Sequence, residues 1–263
     1  MKKIETIVAK EWAEVFKNRM VLFTVAFLPL LMAALPLVIL HATQSSGAGN
    51  PIENNLPQQY NAICPANLSG SDCLQVALVS EFMLLFMIIP VAVPVTISAY
   101  SIVGEKATHS LEPLLATPIT TGELLAGKCL AALIPAVLAT DGAFLIYAAG
   151  AAVMIRSGIL LSAVLNVRWL IAVFVVGPLM AFLAIMVSII VSSRVNDPRV
   201  AEQLSMVVIV PVLGLFFAQV SGLLLINRQL ILLIAILLAA LDILIGRLGV
   251  GLFQREVILT RWK

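Results

Sequence analysis

Charge is what this sequence has least of. Charged side chains make up 11% of it, against roughly 25% in an ordinary soluble domain. A chain that is 61% hydrophobic, with mean hydropathy +1.09, has too little polar surface to cover a water-soluble globule of this size. Lipid as the solvent removes that difficulty. Histidine is scarce: His41 and His109 stand alone, far apart. The three cysteines, Cys64, Cys73 and Cys129, form no CxxC pair. No metal site is therefore expected. Neither HExxH nor paired glutamates occur, which argues against a membrane metalloprotease. The net charge is +2, and no basic patch with interleaved aromatics offers a nucleic acid a footing.

What is present is apolar sequence in long runs. A helix crossing a bilayer needs about 20 mostly apolar residues. Six runs qualify, at roughly 20–41, 79–102, 129–154, 168–193, 203–226 and 230–250. The fold class expected is an all-α polytopic membrane protein with six transmembrane helices, organised as one unit over 1–263. The first run is expected to be a retained span, because its apolar stretch exceeds the 7–15 residues usual in a cleaved leader. Several runs contain proline, including Pro90, Pro94, Pro178 and Pro211, which membrane helices tolerate when neighbours satisfy the freed carbonyls.

Basic residues orient the chain. With the N-terminus inside, thirteen of the sixteen Lys and Arg lie inside and three outside: Arg156, Arg168 and Arg228. The stretch 42–78 has no Lys or Arg. This asymmetry places both termini in the cytoplasm and 42–78 outside. That outer loop carries Cys64 and Cys73. A bridge between them would close a loop of about ten residues and contribute about 2–3 kcal/mol in the chain-entropy picture; two free thiols are the alternative.

Residues 1–19 are amphipathic. Ile4, Ile7, Val8, Trp12, Val15 and Phe16 recur at helical spacing, with Lys2, Lys3, Glu5, Lys10, Glu14 and Lys17 elsewhere. The pattern suggests a helix in the cytoplasmic interface with Trp12 at head-group depth. Packing on a partner's cytosolic domain is the other reading.

Between the second and third runs lies a polar segment, 103–128. Leu111, Leu114 and Leu115 make a short apolar stripe, and Pro118 ends any helix there. Thr120 followed by Glu123 is a capping box that starts a new helix into the third span. A short helix of this kind, flanked by Glu and Lys, suits docking on a second protein; an ordinary connecting loop is the alternative. Gly122 to Cys129 nearly spells a phosphate loop, but Cys129 replaces the Ser or Thr that would hold magnesium, and no strand precedes it.

The run Gly104-Glu105-Lys106, then His109-Ser110-Leu111-Glu112-Pro113-Leu114-Leu115-Ala116-Thr117-Pro118, then Glu123-Leu124-Leu125-Ala126-Gly127-Lys128 resembles the first cytoplasmic loop of permease subunits of type-2 ABC transporters. Ser110 stands where that family usually has Thr, and His109 where Gly or Arg is common. A second patch, Ser192 to Ala201 with Arg194, Asp197 and Arg199, resembles the family's other cytoplasmic loop. The resemblance implies a coupling helix around Gly104, Glu105, Lys106, His109, Leu111, Glu112, Leu114 and Leu115, seated on a separate ATPase subunit. It implies a dimer of permease subunits, homo- or heteromeric, in the cell membrane. ATP and magnesium would then be held by the partner ATPase, with no catalytic residue and no cofactor on this chain.

Other features bear on a pathway. Asp141 in the third run has no partner in its own span and is a candidate pathway residue. Asp242 in the sixth is expected to pair with Arg247. Glu81 is expected at the interface. Gly214, Ala218 and Gly222 recur every four residues, a stripe that lets helices approach closely, at a dimer seam or within one subunit. The apolar spans favour an amphiphile, lipid or hydrophobic drug as substrate. A secondary transporter is the alternative class, although no repeat relates the two halves of the chain.

Overall fold

The computed structural model describes residues 2–17, 19–45, 71–107 and 120–252. They form helices only, in the order α1 Lys2–Val15, α2 Arg19–Ser45, α3 Ser71–Phe86, α4 Ile89–Ala107, α5 Thr121–Met154, α6 Gly158–Val164, α7 Val167–Ile171, a π turn Ala172–Val176, α8 Gly177–Arg194, α9 Pro198–Ser205, a 3-10 turn Met206–Val208, α10 Ile209–Val220 and α11 Arg228–Leu252. Six stretches are long and apolar enough to cross a membrane: Val21–Gln44, Asp72–Ser101, Gly122–Met154, Gly158–Arg194, Pro198–Val220 and Arg228–Leu248. The chain is an all-α polytopic membrane protein.

The expected spans are all there, but the helices are longer than their apolar runs. The second begins at Ser71 rather than 79, so its first turns take the end of the expected outer loop. Cys73 lies buried there and is disulfide-bonded; Cys64, its expected partner, is outside the described residues. The third span is the 34-residue α5, about 51 Å long at 1.5 Å per residue. Hydrocarbon accounts for about 30 Å of that, so α5 projects as a stem into the aqueous boundary.

Prolines break the two most enclosed spans at one level. Pro90 has no N–H for the Phe86 carbonyl, and α3 ends at Phe86. Met87 and Ile88 close tighter turns, donating to Leu84 at 3.1 Å and Leu85 at 2.9 Å, before α4 resumes. Pro178 likewise leaves the Phe174 carbonyl without a donor. The chain widens into the π turn, where the Gly177 N–H reaches back to the Ala172 carbonyl. The two breaks face each other: a Cβ on Gly177 would sit 3.9 Å from Pro90 Cβ. Around them pack Phe86, Met83, Ile89, Tyr147, Trp169 and Ile185, all almost fully buried. The outer faces of α2, α5, α10 and α11 are apolar and exposed, for example Phe23, Leu138, Phe217 and Ile236, as a lipid-facing surface requires.

Candidate functional site

The polar chemistry concentrates where α1, α4 and α5 meet, beside the segment 108–119. That segment holds His109, Leu111, Glu112, Leu114 and Leu115, and it lies outside the described residues. Gly104, Glu105 and Lys106 form part of the last two turns of α4. The segment's two ends are thus the end of α4 and the start of α5. At the α5 end the capping box is complete. Thr120 Oγ1 accepts from the Glu123 N–H at 3.2 Å, and Glu123 Oε2 accepts from the Thr120 N–H at 2.9 Å.

Lys128, two turns into α5, ties three helices together. Its Nζ donates to Glu11 Oε1 of α1 at 2.7 Å and to Ser101 Oγ of α4 at 2.8 Å. Both charged side chains are buried, Lys128 at 7% exposure and Glu11 at 2%. At such burial the main consequence of the pair is that neither member can be removed alone without leaving an uncompensated charge. The stretch Gly122 to Cys129, which nearly spells a phosphate loop, is therefore the regular start of α5, with its lysine committed to Glu11 and Ser101.

Helix α1 is held against the bundle. Ile7 and Val15 of its apolar face are buried, and the helix packs along α5. Three features of α5 cause this. Gly127 presents no side chain, so Ile7 sits directly on its backbone; a Cβ there would be 2.7 Å from Ile7 Cγ2. Lys128 receives Glu11. Pro135 cannot donate to the Ala131 carbonyl, and the Trp12 indole N–H fills that gap at 2.9 Å. The Trp12 N–H is thus committed to a proline-freed carbonyl. Lys3 adds a partly exposed pair with Glu123 at 3.5 Å.

The second patch, Arg194 to Arg199, braces the other stem. Arg194 ends α8, and Asp197 caps α9, its Oδ1 accepting from the Arg199 N–H at 2.8 Å, with Pro198 at the first helical position. Arg194, Asp197 and Arg199 are all exposed. Behind them Ala201 packs with Ala99 and Val103 of α4. The Thr96 hydroxyl of α4 donates to Glu202 Oε1 of α9 at 2.7 Å. Helix α4 is thus fastened to α5 by Ser101 and to α9 by Thr96. Glu11, Ser101, Thr96 and Glu202 were missed in the sequence, although the small pair Gly127 and Ala131, one turn apart, marked the face on which α1 lies.

The intramembrane residues are distributed rather than gathered. Asp141 is half-buried in α5 with one carboxylate oxygen enclosed and without a hydrogen-bond partner. Asp242 does not pair with Arg247. Arg247 is exposed, while Asp242 is 7% exposed with neither oxygen hydrogen-bonded. Glu81 is buried between α3 and α10 against Gln219, not interfacial. Nearby, Arg168 donates to Ser80 Oγ at 2.8 Å and to the Ile226 carbonyl at 3.4 Å. The small-residue stripe does not persist. Helix α10 ends at Val220, and Gly222 turns the chain with φ 73°, a left-handed conformation natural to glycine. Gly214 faces outward, with nothing within 4 Å of a built Cβ.

The described residues thus form a multi-pass helical bundle whose helices are braced at one end by a buried ion pair and hydroxyl contacts. The model of the ABC-2 family transporter proteins matches residues 5–247. The chain belongs to that family, as a membrane permease of the ABC transporter class. No curated protein matches it.

Proposed function

We propose that this chain is the membrane-spanning permease subunit of an ATP-driven exporter. Two permease subunits form the path, and a separate ATPase subunit, which holds ATP and magnesium, drives them through the segment between α4 and α5. The observation that carries this reading is the Lys128 junction. A load applied to the segment enters α4 and α5 together, and α1 moves with them because Glu11 and Trp12 fasten it to α5. A plain connecting loop would need no such brace. The apolar spans suit an amphiphilic or hydrophobic substrate, and Asp141, the half-buried acid of α5, is the pathway residue proposed. Arg194, Asp197 and Arg199 form the second contact with the ATPase.

The docking stripe tests the reading. Truncating Leu114 and Leu115 to alanine together should weaken association with the ATPase by about 1–2 kcal/mol per leucine and uncouple ATP hydrolysis from transport. The spans should stay folded, since both leucines lie in the polar segment between the apolar runs. Wild-type association and normal transport in the double variant would reduce the segment to a connector.

Orientation is tested separately. The thirteen-to-three distribution of Lys and Arg calls for cytoplasmic termini and an outer loop near Asn50. A membrane-impermeant thiol reagent applied to intact cells should label a single cysteine placed at Asn50 and spare one placed at Glu105. Labelling at Glu105 alone would put the proposed docking segment on the wrong side for an ATPase.

A further inference from the structure

Helices α8 and α11 leave a groove of about 540 Å³ between them, lined by Phe182, Asp242, Ile243, Gly246 and Arg247. Its wall is largely hydrocarbon and aromatic. Gly246 forms a bare stretch of wall opposite the Phe182 ring, which a Cβ would approach to 3.9 Å. Set into this apolar surface is one acid. Asp242 is 7% exposed, and both its oxygens are enclosed without a hydrogen-bond donor. Ionisable groups at such positions in a span are costly and call for a partner. Arg247 also borders the groove, but its side chain is exposed and no ion pair joins it to Asp242. Six residues beyond Asp242, Leu248 still belongs to the apolar span of α11, about 9 Å away along the axis, so the acid lies below head-group level. Ile243, which lines the groove, is 60% exposed on the apolar face of α11, so access is from the membrane.

We infer that the α8–α11 groove binds lipophilic monocations drawn from the bilayer, with Asp242 as counter-ion and the Phe182 ring and Ile243 receiving the apolar body. A cation satisfies the one unmet charge requirement of the site. The hydrocarbon wall removes the ligand's apolar surface from competing contacts, and the aromatic face adds attraction for positive charge. A neutral amphiphile would leave Asp242 unmatched, and an anion would be repelled. The inference rests on the groove and on the membrane placement of α11. It does not depend on coupling to an ATPase, and binding can be measured without ATP.

Tetraphenylphosphonium and tetraphenylborate test it, being matched in shape and opposite in charge. The full-length protein is placed in lipid nanodiscs, and saturable binding above that of empty discs is measured by equilibrium dialysis. Tetraphenylphosphonium should saturate at one site per chain, and tetraphenylborate should show no saturable component. Asp242→Asn should weaken tetraphenylphosphonium by about tenfold or more, the effect of losing one desolvated charge partner. Asp242→Glu, which keeps the charge, should stay within about threefold of wild type. Equal saturable binding of the two ions, no saturable phosphonium binding, or an Asp242→Asn protein that binds like wild type would each overturn the assignment. The comparison of the two ions on the unaltered protein keeps the test decisive if a variant fails to fold.

Discussion

Replacing Lys128 by methionine should destabilise the protein by about 3–5 kcal/mol, the usual consequence of removing one member of a buried ion pair. The pair's net attraction is not what is lost. Glu11 would remain at 2% exposure with its cation gone, and Ser101 would lose its ammonium donor. Glu11→Gln leaves the Lys128 ammonium without a counter-charge at 7% exposure, but its amide oxygen still accepts from Nζ, so it should cost less than Lys128→Met. The double variant Lys128→Met with Glu11→Leu should recover most of the loss, since two apolar side chains of similar volume satisfy each other. A double-mutant cycle on equilibrium unfolding in mixed micelles should yield a coupling energy of about 2 kcal/mol or more. Single and double variants of equal stability would mean that the junction is open to water and transmits nothing.

The junction also marks the limit of what the sequence shows. Hydropathy over 20-residue windows places six spans because lipid imposes the same demand on every one of them. The capping box at Thr120 and Glu123 was legible because its partners are three residues apart. Glu11 and Lys128 are 117 residues apart, and no local pattern joins them. Lys128 read as part of a docking motif, and Glu11 went unassigned. The early start of the second span was missed for a related reason. Asp72 and Gln75 look like loop composition, yet Gln75 is buried in the bundle and Asp72 partly so. Prolines were visible one by one. That Pro90 and the π turn before Pro178 abut, and that Pro135 frees the carbonyl taken by Trp12, depends on helix rotation, which periodicity leaves undetermined. The glycine stripe failed because equal spacing does not distinguish a helical glycine from one that ends the helix, as Gly222 does.

Gly127→Ala should release α1 from the bundle, whereas Gly142→Ala on the same helix should do the opposite. In the interior of a helix, alanine is favoured over glycine by about 1 kcal/mol, so propensity alone makes both changes stabilising. At Gly142 nothing lies within 4 Å of the added methyl, and that gain should be realised. At Gly127 the methyl would lie 2.7 Å from Ile7 Cγ2 and 2.9 Å from Ile7 Cβ. The second distance decides the sign. A Cγ can rotate away, but a Cβ is fixed to the backbone, so α1 itself must move. Helix α1 cannot shift by several tenths of an ångström and keep both the 2.7 Å Glu11 contact and the 2.9 Å Trp12 bond. Overpacking of this kind costs about 1–3 kcal/mol, which exceeds the propensity gain. The readout is tryptic cleavage at Lys10 and Lys17, which should accelerate in Gly127→Ala and slow or stay unchanged in Gly142→Ala. Adding Ile7→Ala to Gly127→Ala removes the 2.7 Å contact but keeps the 2.9 Å contact with Cβ, so cleavage should remain faster than in the wild type. If Gly127→Ala instead protects α1 and raises stability as Gly142→Ala does, then α1 does not sit on the α5 backbone, and the brace that joins it to the coupling segment is absent.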